Sequence, residues 1–271
     1  MAGYFNYLGR VFTEKGSWYK ILIIVALQAM MVYFNPKDMM QGDTFNLNVP
    51  AIVLYILASW LIFGFSVQIY SNALNNGRNA LPDLDFGGMF ISTLRFIPFS
   101  IVWGLYFVII GVISAMLMPI IGKVMIFIAA IPIFVLMFTL PVLMAIHAKN
   151  FSYKHVLNPV TPFRIFTNVA VPVALLDLTI GLVSVVLYGL TIGGAVLIGV
   201  SGGISGTETT FDPISAFTLG LLLIIFFYVQ NAVSFAYSLK LCDIINDKLS
   251  DTEIMDDDFD AAVGVEEDED Y

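Results

Sequence analysis

The chain has 271 residues, of which 59% are apolar and only 12% charged, and its mean hydropathy is +0.88. A water-soluble domain carries about a quarter charged residues, so this composition excludes an ordinary soluble enzyme or binding domain and requires that much of the surface face lipid. The charge is uneven: residues 243–271 hold thirteen acids against Lys248 alone, a net of −12, while the remaining 242 residues carry a net of +3.

At the N-terminus, Tyr4, Tyr7, Leu8, Val11 and Phe12 recur at helical spacing, with Asn6, Arg10 and Glu14 between them. This predicts an amphipathic helix over residues 1–16, either lying on the inner leaflet or simply extending the membrane bundle. The first basic residue is Arg10 and no small-residue cleavage site follows the first apolar run, so no cleavable secretory leader is expected. Crossing about 30 Å of hydrocarbon takes about 20 apolar residues in a helix. Six stretches qualify: 17–34, 50–70, 96–118, 124–147, 169–190 and 214–239. The expected fold is therefore an all-α integral membrane protein of about six spans, with a membrane domain over 17–242. Lys20, at the start of the first stretch, is expected to snorkel to the headgroups.

Lysine and arginine set the threading. Arg10, Lys15, Lys20, Arg78, Arg95, Lys149, Lys154, Arg164, Lys240 and Lys248 fall on one side, and only Lys37 and Lys123 on the other. That asymmetry predicts an inner-membrane protein with both termini cytoplasmic. Cys242 cannot form a disulfide within the chain, and it should react with an impermeant thiol reagent only once the inner face is opened.

Between the second and third spans, Leu81-Pro82-Asp83 fits a turn, with Asp83 capping the helix that follows. Phe86, Met89 and Phe90 could then lie on the inner interface, with Arg78 and Arg95 near lipid phosphates; Pro159, Pro162, Phe163, Arg164 and Phe166 can do the same in the fourth connection. An offset of 77 residues pairs Pro82 with Pro159, Phe86 with Phe163, Gly104 with Gly181, Leu105 with Leu182 and Val108 with Val185. This suggests a parallel internal repeat, with spans two and three corresponding to four and five.

The run Gly64-Phe65, Ile69-Tyr70-Ser71-Asn72, Gly77-Arg78-Asn79-Ala80-Leu81-Pro82-Asp83, Phe86-Gly87 and Phe90 resembles a family of prokaryotic multi-span membrane proteins catalogued as domain of unknown function four-zero-one-three. The entry Trp18-Tyr19-Lys20-Ile21-Leu22-Ile23 looks like that family's approach to its first span. The resemblance covers roughly residues 12–247 and implies the architecture but no activity. More distantly, the chain is similar to the membrane domain beside some glycerophosphodiester phosphodiesterases, without their soluble catalytic domain.

Asp177 is the one acid inside an expected span, and an intramembrane carboxylate is expensive enough to suggest a site. Its expected partners are Gln230 and Asn231, or Arg95. A structural hydrogen bond is the plainer role, and a proton or cation relay the sharper one. Gly189-x-x-x-Gly193 and Gly199-x-x-x-Gly203 suit close helix packing. Gly199-Val200-Ser201-Gly202-Gly203 spells a nucleophile elbow, but His147 and His155 belong to the opposite side of the bilayer. Two histidines and a distant cysteine fall short of a zinc set, and no cofactor, metal or nucleic-acid signature is present. The tail over 243–271 reads as disordered and solvating, or as a docking segment for a basic protein partner. The expected function is a non-enzymatic multi-pass protein that organises membrane lipid or a partner, with a small-solute or ion transporter using Asp177 as the alternative.

Overall fold

The computed structural model describes residues 2–33, 49–76, 81–201 and 213–249. They form α1 (Ala2–Thr13), α2 (Ser17–Tyr33), α3 (Val49–Asn76), α4 (Phe86–Ile121), α5 (Val124–Asn150), α6 (Lys154–Leu157), α7 (Thr161–Ser201) and α8 (Pro213–Leu249), with no strand among the described residues. α3, α4, α5, α7 and α8 are each long and apolar enough to cross a membrane, and α1 with α2, bent by 90°, makes a sixth crossing if taken as one broken span. The all-α multi-span architecture expected from hydropathy is thus what the chain forms.

The bend between α1 and α2 is local chemistry. Gly16 takes φ +88°, where a side chain would be strained and would strike the Tyr19 ring. Ser17 then donates to the Glu14 carbonyl at 3.1 Å, closing the turn. α1 runs along α8: Tyr4 donates to the Val233 carbonyl at 3.2 Å, Val11 is buried, and the Tyr7 ring lies 5.6 Å from the Lys240 ammonium. The stripe read from the sequence is therefore divided, with Tyr4 and Val11 turned onto the protein while Phe12, and Phe5 beside it, stay exposed.

Three helices outrun the apolar stretches by more than ten residues: α4, α7 and α8. α4 begins ten residues earlier than expected and α7 eight, so Phe86, Phe90, Phe163 and Arg164 stand on helices rather than loops. Asp85, not Asp83, occupies the N-cap of α4, and it makes no side-chain capping bond. α8 runs on through Leu249 with Ile244, Ile245 and Leu249 buried, so the expected tail boundary at 243 falls inside a packed helix.

Packing is concentrated at one end of the bundle, where α3 and α5 finish and α4 and α7 start. α4 buries Met89, Thr93, Phe96, Phe99 and Trp103, while Leu105, Val108, Val112 and Met116 further along are exposed. α7 likewise buries Val169, Val173 and Leu176 and exposes Leu182, Val185 and Val196. Those apolar surfaces are compatible with hydrocarbon and not with water. At the packed end α3 and α4 cross at backbone contact: a Cβ on Gly64 would sit 2.0 Å from the Met89 carbonyl oxygen. Thr93 Oγ1 adds a hydrogen bond of 2.7 Å to the Trp60 carbonyl across the same crossing. By contrast, a Cβ on Gly189 or Gly193 would meet nothing within 4 Å, so those glycines do not bring helices of this chain together. The string Gly199-Val200-Ser201-Gly202-Gly203 closes α7 as far as Ser201, and Gly202 and Gly203 lie outside the described residues.

Candidate functional site

At the packed end, Lys20 is 4% exposed despite its charge. Its Nζ does not snorkel outward. It donates to the Leu81 carbonyl at 2.9 Å and lies 3.2 Å from Asp83 Oδ1, while the Leu81 amide donates to Glu14 Oε2 at 3.1 Å. A buried ammonium is tolerable only when paired and hydrogen-bonded, and these contacts supply both. They clasp the α1–α2 turn to the 81–85 segment and explain why Asp83 does not cap α4.

That segment, with α3 and α4, borders a cavity of about 300 Å³ lined by Gln68, Ser71, Asn72, Pro82, Asp83, Ser92 and Phe151. Pro82 is buried while Asp83 is 99% exposed on its side chain. Gln68 Oε1 is buried and has no hydrogen-bond partner among the described residues. Gly88 leaves room beside it, since a Cβ there would come within 2.5 Å of Asp85 Oδ2 and 2.8 Å of Gln68 Nε2. Phe151 closes one wall from the end of α5. Its φ of +53° places a bulky residue in the left-handed region, a strained conformation that surrounding contacts must hold. The Arg95 guanidinium lies 5.1 Å from the Phe151 ring centroid, and Tyr153 donates to the Arg95 carbonyl at 3.0 Å.

Behind this wall an aromatic layer joins α4 to α5. The His147 ring stacks on Phe99 and meets Phe96 edge-on, and its Nδ1 lies 2.9 Å from the Ser152 carbonyl. His155 is also buried, on α6.

The polar residues singled out within the spans do not converge. Asn231 pairs with Gln28 of α2 through reciprocal amide hydrogen bonds of 2.7 and 3.1 Å, and also donates to the Phe227 carbonyl at 2.7 Å. Gln230 Oε1 is buried without a partner among the described residues. Asp177 makes no hydrogen bond to either of them or to Arg95 among the described residues; its carboxylate lies beside Tyr237 of α8. Tyr237 in turn lies near Tyr70 of α3, and Tyr70 near Ser238 of α8. On α7, which has 41 residues, Asp177 stands a little nearer the packed end than the other.

Phe86, Arg95, Phe163 and Arg164 are exposed at that same end, whereas Arg78 lies outside the described residues. Cys242 is 1% exposed between α8 and its neighbours, so the accessible thiol expected from the sequence is not offered. Gln28, Gln68, Ser92 and Tyr237 were not singled out in the sequence. The available signal was a lone polar side chain interrupting an apolar run, which marks a residue in need of a partner without saying which.

No family model, curated protein or solved structure matches this chain. Within the structure, residues 64–76 and 81–90 form the α3–α4 crossing and part of the cavity wall.

Proposed function

We propose that this chain is a non-enzymatic multi-pass protein of a prokaryotic inner membrane, with both termini cytoplasmic, that organises membrane lipid, or a partner protein, at the cytoplasmic face. The supporting observation is where its polar chemistry lies. Gln28 and Asn231 are spent on each other, while the clasp of Lys20 and the polar cavity lie at the end that the positive-inside bias assigns to the cytoplasm. Exposed Phe86, Arg95, Phe163 and Arg164 give that end an apolar and cationic rim suited to headgroups. The acidic tail would be available to a basic partner.

A parallel repeat belongs to the same proposal. α5 and α7 begin 75 residues after α3 and α4 respectively. Met89 at the α3–α4 crossing and Phe166, packed on Phe138 of α5, are separated by the 77-residue offset of the sequence identities.

Purification in native nanodiscs tests the proposal by mass spectrometry of what stays bound. The expected result is a lipid class enriched over the surrounding membrane, or a stoichiometric protein partner. Recovery of bulk lipid alone would sink it.

The second reading is transport through Asp177, favoured by one observation: its carboxylate is exposed on the surface of α7 beside an intramembrane tyrosine, Tyr237. Asp177→Asn keeps the shape and removes the charge. On the lipid-organising reading this variant leaves solute flux and growth unchanged, whereas a loss of flux would establish transport instead.

A further inference from the structure

The cavity between α3, the 81–85 segment and α4 has a lining whose chemistry narrows what can occupy it. Gln68 and Asn72 each offer an amide that donates and accepts, and Ser71 and Ser92 each offer a hydroxyl with both capacities. Among the described residues the lining contains no lysine or arginine, and its one carboxylate, Asp83, is already paired with the Lys20 ammonium 3.2 Å away. An anionic group such as a bare phosphate would meet Asp83 without a cation in the lining to neutralise it. A cationic group would have to compete with Lys20 for the same oxygen. What remains complementary is a neutral group that carries several hydroxyls, since each hydroxyl, like the lining groups, both donates and accepts.

Two further observations point the same way. Gln68 Oε1 is buried without a partner among the described residues, so turning the Gln68 amide toward the cavity would give it the donor it lacks. Pro82 and Phe151 supply apolar wall for the C–H faces of a ring, with Phe151 held in a strained backbone conformation. The volume, about 300 Å³, is at the small end for ligand sites and suits one ring rather than an extended ligand.

We propose that this cavity binds a neutral polyhydroxylated ring, a sugar or a cyclitol, through Gln68, Ser71, Asn72 and Ser92, with Asp83 accepting from its hydroxyls. The proposal rests on the lipid-organising reading, because the cavity opens at the end assigned to the headgroup region, where such a ring could arrive on a lipid or free in solution.

The test uses the full chain in phosphatidylcholine nanodiscs doped in turn with monogalactosyldiacylglycerol, phosphatidylinositol and phosphatidylserine, with retained lipid read by native mass spectrometry. The galactolipid and the inositol lipid are expected to be retained over phosphatidylcholine and phosphatidylserine. Gln68→Leu and Ser92→Ala should each lower that retention by about tenfold, the cost of one lost hydrogen bond, at unchanged melting temperature. Free galactose and myo-inositol, titrated against the chain in phosphatidylcholine alone, distinguish the sources. Binding of the free ring without lipid enrichment supports a soluble polyol, and lipid enrichment that free rings do not displace supports a headgroup. Retention of phosphatidylserine equal to that of phosphatidylinositol, with the galactolipid ignored, would overturn the proposal in favour of phosphate. Retention that neither variant changes would overturn the cavity as the site yet leave the lipid-organising reading standing. Absence of any selectively held lipid or free ring would overturn the cavity proposal, and absence of a protein partner as well would remove the broader reading.

Discussion

Among single residues, Gly64 carries the sharpest consequence. Its missing side chain lets α4 backbone rest on α3, and the nearest atoms to an added methyl would be the carbonyl oxygen, carbonyl carbon and Cα of Met89. None of these can rotate away as a flexible side-chain tip would. Gly64→Ala should therefore force α3 and α4 apart and cost about 3 kcal/mol, the upper range for overpacking a filled interface. Thermal unfolding in detergent checks this, and an unshifted transition would mean that the two helices do not cross there. The Gln28–Asn231 pair makes a different kind of claim. Asn231→Leu leaves the Gln28 amide without its partner inside the bundle and should cost about 1 kcal/mol. Adding Gln28→Leu should recover part of that loss, because an unmet polar group is worse than an apolar pair. If the double variant were the simple sum of the two singles, the amides would not interact. The sequence marked Asn231 as polar and intramembrane, yet it could not name Gln28: 203 positions separate them, and only the packing of α2 on α8 brings them together.

At the scale of elements, hydropathy located the cores of the helices and misplaced their ends. α4 and α7 open with Gly87, Gly88, Ser92 and Arg95, and with Thr161, Arg164, Thr167 and Asn168, residues that lower local hydropathy without breaking a helix. Thr167 and Asn168 turn back onto the Arg164 carbonyl within their own helix, while Thr93 of α4 finds a partner invisible in one dimension, the Trp60 carbonyl. Asp83 looked like a cap because it follows a proline, and was claimed instead by a buried lysine 63 positions earlier. α1 shows the limit of an amphipathic stripe, since periodicity reveals that a helix has an apolar side and is silent on whether lipid or protein covers it. Here α8 covers Tyr4 and Val11. Val11→Asp, which places a carboxylate against α8, should therefore release α1 and expose it to limited proteolysis near Arg10 while α3 to α8 stay folded. Resistance equal to that of the unaltered chain would show that lipid, not α8, holds α1 in place.

For the whole molecule, crossing and threading are separate claims, and one helix can test both. α5 has 27 residues, so its length is about 40 Å, more than the roughly 30 Å of hydrocarbon. Lys123 before it and Lys154 after it are both exposed, so if α5 spans, these positions lie on opposite faces whatever the orientation. The ten-to-two distribution of lysine and arginine further assigns Lys154 to the cytoplasm and Lys123 to the outside. The native thiol cannot report on this, because Cys242 is buried. With Cys242→Ser as background, Lys123→Cys should label with an impermeant maleimide in intact cells, and Lys154→Cys only after the membrane is opened. Each substitution removes one basic residue, which leaves the asymmetry at nine to two or ten to one and so does not threaten the threading it measures. Labelling of both positions from one side would mean that α5 does not cross. Labelling in the reverse order would keep the bundle but invert it, placing the cavity, the Lys20 clasp and the acidic tail outside the cell, where a cytoplasmic partner could not reach them.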